Sequence, residues 1–361
     1  MISFGMMSLN LKSELSYFTE IARRANGDNV ICYRFTPSDI SPISQLAKGE
    51  KFDPTKDAWV RAEFPIPNFL YDRCFYSDDL ISKQSMAIVK WLKSRDDLTF
   101  IGNGLPNKWA IYESLSKSPL SPYIPETIKV TCGKMVIAKV NSWGKLLLKP
   151  TFGSGGAGIY RVEKKGQTFT ISADLGGKIS DKTIDSESEA EVWLDQLFDK
   201  KEYLAQRYLK LTDSQNRPFD IRILMQKDMA GRWTVRGKGI RRGSENGILS
   251  NLRAGGMVLP LEDYVSSLSQ RSRIFILHEL EEILSELPAI LESTFPRLFE
   301  LGIDISISKD LALWILDTNS KPGRKVLLQN NPEMKDILYK APIEYALFLA
   351  KNLSEREEQH S

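Results

Sequence analysis

Four glycines fall within six positions of Lys149-Pro150-Thr151-Phe152-Gly153-Ser154-Gly155-Gly156-Ala157-Gly158, and β-prone residues flank them on both sides. Glycine lets backbone N–H groups approach an anion without Cβ obstruction, so the segment suits a phosphate-covering loop; the bland alternative is a flexible hairpin tip. Gly153, Gly155 and Gly158 formally fit the dinucleotide fingerprint, but that fingerprint must open a helix. Here Ile159-Tyr160-Arg161-Val162 follows, a β pattern that turns at Lys164-Lys165-Gly166. A Rossmann fold is therefore excluded by context, and a Walker A loop by the lack of a closing Gly-Lys-Ser/Thr. What remains is strand, glycine flap, strand, with Lys149 on the incoming strand. A protein kinase uses a similar flap, yet neither His-Arg-Asp nor Asp-Phe-Gly occurs downstream.

The residues available for chemistry narrow the choice further. The 361 residues include only two histidines, His278 and His360, and three cysteines, Cys32, Cys74 and Cys132. His278 sits in a helical pattern with apolar residues at 276, 277, 280, 283, 284 and 287, and reads as a partly exposed helix residue. Cys/His zinc sites, Ser-His-Asp triads and Cys-His dyads lack material, and an odd, scattered set of cysteines suits a reducing compartment. Whatever chemistry occurs must use Lys, Arg, carboxylates, amides and backbone. Lys+Arg number 49 against 46 Asp+Glu, a net charge of +3 without a clustered basic stripe, so no nucleic-acid partner is expected. No apolar run approaches the roughly 20 residues of a membrane span. The first twelve residues lack a positive n-region, which leads to the expectation of a cytoplasmic protein with no membrane partner.

Along the chain, residues 13–24 read as an amphipathic helix and 29–35 as a strand, followed by the Pro-rich Phe64-Pro65-Ile66-Pro67. A small α/β domain over residues 1–104 is expected, closed by the turn formers Gly102-Asn103-Gly104-Leu105-Pro106. Ser186-x-x-Glu189 is a capping box, and Ala190, Trp193, Leu194, Leu197 and Phe198 follow helical spacing after it. Strands are expected over 145–149, 159–162, 219–226, 232–240, 301–308 and 311–319, and the polar residues after Leu353 are expected to fray.

Two further patterns carry chemistry. In Ala312-Leu313-Trp314-Ile315-Leu316-Asp317-Thr318-Asn319, alternation puts Asp317 and Asn319 on one face. If Lys309-Asp310 is a two-residue turn, Asp304 lies opposite Ile315 and diagonal to Asp317, so Asp304, Asp317 and Asn319 converge as hard oxygen ligands suited to Mg²⁺. The alternative is a solvated polar face, and a one-residue slip in register would send Asp304 to the opposite side. In residues 219–226, Asp220, Arg222 and Gln226 share a face; Arg222 is a candidate contact for phosphate or acyl oxygen, or else half of an exposed ion pair. Lys238, Arg241 and Arg242 add positive charge, and Asn251-Leu252-Arg253-Ala254-Gly255-Gly256 is a second glycine-bearing loop.

This order of elements resembles the ATP-grasp superfamily, in which two α+β subdomains hold ATP between them. More specifically, Asn107-Lys108-Trp109, Leu148-Lys149-Pro150 with its glycine loop, Tyr203-Leu204-Ala205-Gln206-Arg207-Tyr208-Leu209, Arg217-Pro218-Phe219-Asp220-Ile221-Arg222 and Leu316-Asp317-Thr318-Asn319-Ser320-Lys321-Pro322-Gly323 together resemble the YheC/YheD family of endospore coat-associated proteins. Phe4-Gly5, Phe35-Thr36-Pro37 and Phe64-Pro65-Ile66-Pro67 resemble that family's opening, and the likeness runs from about Gly5 to Leu349.

The resemblance implies an α+β and α/β architecture: a pre-ATP-grasp domain over 1–104, an ATP-grasp N-subdomain over 105–200 and a C-subdomain over 201–350, with a polar tail over 351–361. It implies that Lys108 and Lys149 contact the α- and β-phosphates of ATP, and that the loop with Gly153, Ser154, Gly155, Gly156 and Gly158 folds over the γ-phosphate. Gln206, Tyr208 and Leu209 would lie on the strand that meets adenine, with Asp213 near ribose. Asp304, Asp317 and Asn319 would hold Mg, and Arg222, Arg241 and Asn251 would face an acyl phosphate. The superfamily usually carries Glu where Asp317 stands. The implied activity is an ATP- and Mg-dependent carboxylate–amine ligase acting on amino-acid- or peptide-like substrates, associated with sporulation and with spore-coat proteins as partners. A non-catalytic ATP-binding coat or morphogenetic protein is the alternative, and a kinase the third reading.

Overall fold

Apolar alternation builds three β-sheets in chain order, and the computed structural model describes residues 1–25, 27, 29–77, 79–153, 155–174, 178–250 and 256–360 of the chain. The first sheet centres on Ile2–Met7, paired in parallel with Val30–Phe35 and Phe69–Asp72, and the latter pairs in parallel with Thr99–Phe100. Near-continuous apolar runs such as Phe69–Asp72 belong in such a sheet because both faces are covered. An antiparallel extension, Leu46–Asp53 with Ala58–Pro65, lies on the far side of Val30–Phe35.

The second sheet is antiparallel, in the order Ile179–Ile184, Thr168–Asp174, Tyr160–Lys165, Lys145–Pro150, Tyr203–Arg207, Thr127–Val130. Leu146 and Leu148 point into a core with Val136, Ile137, Val140, Ala190 and Leu194 from the helices Gly133–Trp143 and Glu187–Phe198. The capping box acts as expected in one half: Ser186 Oγ accepts from the Glu189 N–H at 3.3 Å.

The third sheet, also antiparallel, runs Met257–Leu259, Trp233–Arg242, Phe219–Lys227, Glu300–Ile307, Leu313–Asn319. One face carries Ile221, Ile223, Ile303 and Ile305 and is buried under the 25-residue helix Gln270–Thr294 together with Ile111 and Leu115 of Lys108–Ser116. Its other face packs Leu224 against Leu327 and Leu338 and beside them carries Asp220, Arg222 and Asp304, which is what places a site there. The turn formers at 102–106 are held rather than free: Asn103 N–H donates to Arg297 O at 2.8 Å, and Leu105 N–H to Ser320 Oγ at 2.8 Å.

The polar C-terminus does not fray as expected. Lys335–His360 is one helix. Ala341, Ile343, Tyr345 and Ala346 anchor it in the core of the first sheet beside Phe4 and Phe18, and Lys351 and Glu355 pair one turn apart at 3.7 Å beyond that anchor. Among the described residues, no helix is long and apolar enough to cross a membrane. His278 is 68% exposed on its helix, in keeping with the sequence reading.

Candidate nucleotide and metal site

A cleft of about 170 Å³ separates the second and third sheets. Leu147, Lys149 and Gln206 line it from the second sheet, and Asp220, Arg222, Arg241, Asp304, Asp317 and Asn319 from the polar face of the third. Gly153, Gly155 and Gly156 close it from the flap. Gly153, Gly155, Gly156 and Gly158 have φ of +127, +70, +77 and +76°, so the flap's path uses the half of backbone space that side chains avoid. Its root is fixed, because Lys108 N–H donates to Thr151 O at 3.1 Å.

The two acidic strands converge by a different register from the one assumed. The turn between them has three residues, Lys309 to Leu311, closed by Ser308 N–H to Ala312 O at 2.9 Å, with Leu311 at φ +68°. The extra turn residue shifts the ladder by one, which alone would turn Asp317 to the apolar face. A bulge then places Leu316 as an unpaired residue between Ile315, opposite Ile305, and Asp317, opposite Asp304. The two shifts add to an even number, so the acidic residues face each other directly instead of diagonally.

Each carboxylate on this face has a cationic partner. Arg241 grips Asp220 with Nε and Nη2 at 2.7 and 2.8 Å, and Nη2 also lies 2.8 Å from Asp304 Oδ2. Arg222 Nη1 stands 2.9 Å from Asp304 Oδ1, yet neither atom makes a hydrogen bond, because the contact is poorly aligned. Ser250 Oγ donates to Asp220 Oδ2. Burial opposes ionisation of Asp304, but Arg222 and Arg241 hold its carboxyl below the usual carboxylate range. At the edge strand, Lys108 Nζ contacts Asp317 Oδ1 at 2.5 Å, and Asn319 Nδ2 reaches Asp317 Oδ2 at 3.5 Å. Lys149 Nζ approaches Leu316 O at 3.5 Å; burial pulls its ammonium down to about 8, against the attraction of Asp317.

The structure thus brings together Lys108, Lys149, the described flap glycines, Gln206, Tyr208, Leu209, Arg222, Arg241, Asp304, Asp317 and Asn319, although Gly158 is set back against Pro150 and Tyr203. Gln206 turns its amide away to donate to Thr127 Oγ1 at 3.0 Å, so its side chain is a wall and not a free donor. Asp213 is not brought in. Its carboxylate is held by Arg217 Nη2 at 2.8 Å and faces a separate hollow beside Tyr264 and Lys309. Ser154 and Asn251 lie outside the described residues. Sequence reasoning missed Asp220 as the holder of Arg241. The signal was present, since Asp220 and Arg222 alternate on one strand face, but their partner on the neighbouring strand was not legible.

Comparison with known proteins follows the same lines. A family profile described as YheC/D like ATP-grasp matches residues 97–349. The chain belongs to that family. It is 36% identical over 357 residues to the endospore coat-associated protein YheC of Bacillus subtilis (strain 168), covering 99% of this chain and 98% of that protein. Among solved structures, the D-alanine-D-alanine ligase from Coxiella burnetii aligns over 100% of both chains with a TM-score of 0.54 at 7% identity. N5-carboxyaminoimidazole synthetase from Staphylococcus aureus, solved with ADP, aligns over 94% of this chain and 77% of that one with a TM-score of 0.52 at 10% identity. At such identities the structural likeness shows the fold alone. That fold is ATP-grasp, α+β with a small α/β unit before it, as the sequence resemblance implied.

Proposed function

We propose that this chain is an ATP- and Mg²⁺-dependent ligase that joins a carboxylate to an amine through an acyl phosphate, on amino-acid- or peptide-like substrates. The observation that carries the proposal is the row of charged residues Arg241, Arg222, Asp304 and Asp317, one from each of four neighbouring strands, standing across the cleft from Lys149 and the glycine flap. Phosphoryl transfer needs positioning and charge neutralisation rather than a histidine or thiol nucleophile, and this face supplies both.

Asp304, Asp317 and the Asn319 amide are hard oxygen donors, few in number, which fits an ion that keeps phosphate and water ligands. The buried Asp304 Oδ1, without a hydrogen bond, is consistent with such a use. When bound, magnesium would neutralise charge on the transferring phosphoryl group. Lys108 and Lys149 would hold the α- and β-phosphates, flap amides the γ-phosphate, and Tyr208 and Leu209 adenine. The substrate carboxylate oxygen attacks the γ-phosphorus, ADP leaves, and the amine then displaces inorganic phosphate from the acyl carbon. Arg222 would face the acyl phosphate; Arg241, bidentate on Asp220, would position Asp304. A role in sporulation rests on the coat-associated name of the relatives.

One observation favours a non-catalytic, ATP-binding coat protein as second reading: each carboxylate in the cleft already has a cationic partner. The test is ADP release by purified protein across a panel of amino acids and short acidic peptides, beside Asp317→Asn. A ligase shows acceptor-dependent release that the variant loses by about 10²-fold or more while staying folded. ATP binding with no acceptor-dependent turnover on a broad panel contradicts the proposal and supports the second reading.

A further inference from the structure

The cations that face the carboxylates outnumber them. Among the described residues the side chains that face one another across the cleft are Lys108, Lys149, Arg222 and Arg241 against Asp220, Asp304 and Asp317, four positive and three negative groups, a net charge of +1. Lys108 is the one whose attachment to a candidate metal ligand is also the simplest to exchange. Its backbone is fixed as the first residue of helix Lys108–Ser116, capped by Asn107 Oδ1 accepting from Ala110 N–H at 3.0 Å, and tied to the flap root through Thr151 O. Its ammonium alone spans to Asp317 Oδ1 at 2.5 Å, with the two side chains 22% and 26% exposed.

We propose that Lys108 is a plug: it keeps Asp317 closed to a free divalent ion and releases it only when phosphate oxygens arrive to take the ammonium, so that the site accepts metal as its nucleotide complex and not metal alone. The inference rests on the nucleotide reading of the cleft given above. Its physical basis is a comparison of two exchanges. A bare dication would have to displace Lys108 into a cleft that is already net positive, with no anion to receive the ammonium, which low local dielectric makes costly. A triphosphate brings that anion, offering oxygens that Lys108 can bond in place of Asp317. The plug thus makes the order of binding a property of one side chain, and it leaves Asp317 neutralised in the absence of nucleotide.

The experiment measures Mn²⁺ as probe, free against bound, by electron paramagnetic resonance and calorimetry on the full chain, with and without a non-hydrolysable ATP analogue. Wild type is expected to bind Mn²⁺ with the analogue and not without it. Lys108→Met should bind Mn²⁺ without nucleotide at least about tenfold more tightly than wild type. Adding Asp317→Asn should remove that gain, and Lys108→Arg, which keeps the charge, should not show it; Lys108→Gln replaces the Met variant if that one does not fold. Wild type binding Mn²⁺ alone as tightly as Lys108→Met overturns the plug while leaving the nucleotide reading intact, as does a gain that survives Asp317→Asn. Failure of wild type to bind the analogue at all overturns the nucleotide reading itself.

Discussion

Lys149 shows how much a single position can fix. It sits on a strand whose Leu146 and Leu148 point into the core, so alternation turns Lys145, Leu147 and Lys149 to the cleft side. The place of Lys149 on the incoming strand was legible from the sequence, as was the glycine demand of the flap, but three leucines in a row hid which face it takes. Its titration was not legible either, because the burial that lowers the ammonium to about 8 exists only in the folded chain. The sign of the consequence is definite. Free protein loses the Lys149 proton as pH rises through about 8, whereas bound phosphate favours the charged form. Nucleotide binding should therefore take up a proton above that pH and weaken as pH rises further, while below about pH 7 little uptake is expected. Calorimetry in buffers of different ionisation enthalpy measures this; equal heats in all buffers near pH 9 would contradict it.

At the scale of elements, the strand Glu300–Ile307 has two tasks on one face. Asp304 serves the cleft, and four residues earlier Glu300, 1% exposed, receives Arg73 Nη1 at 2.8 Å, Arg324 Nη2 at 3.1 Å and the Tyr71 hydroxyl at 2.5 Å. Arg73 and Tyr71 come from the first sheet's end, and Arg324 follows the loop after Asn319, so this buried cluster ties the strand ends of the site to the N-terminal unit. Glu300→Ala removes the carboxylate that two buried guanidiniums share, leaving Glu14 as the carboxylate beside both, and should cost about 3–5 kcal/mol, read by denaturant unfolding. A loss under about 1 kcal/mol would show the cluster to be well hydrated. The two acidic strands also explain what the sequence withheld. Their pairing could be read, but neither the αL residue Leu311 nor the Leu316 bulge carries a residue-type signature such as Asn-Gly, and each shifts the register by one. The convergence of Asp304 and Asp317 survived because the two shifts cancel in parity.

For the whole molecule, the C-terminal helix closes the fold on its own beginning. Tyr345 stacks on Phe299 at 5.4 Å and lies in the same core as Phe4, Phe18 and Ile21 of the first sheet and helix. Such a contact between distant parts of the chain is invisible to local pattern; the residues after Leu353 read as a frayed tail on their polarity alone, and they continue the helix beyond that anchor. A chain ending at Leu353 keeps the buried residues and should melt within about 2 °C of the full protein. One ending at Met334 exposes that core and should be insoluble or unfolded by thermal scan; a soluble, cooperatively melting product would contradict the packing described.

In the proposed reaction a carboxylate attacks the terminal phosphate of ATP in the cleft between the second and third sheets. That step is tested most directly by supplying the substrate acid with oxygen-18 in its carboxylate and analysing the inorganic phosphate by mass spectrometry. One labelled oxygen per turnover should appear in phosphate with wild type and none with Asp304→Asn or Asp317→Asn. Phosphate released without label, in the presence of an acid that stimulates ADP formation, would contradict an acyl-phosphate route.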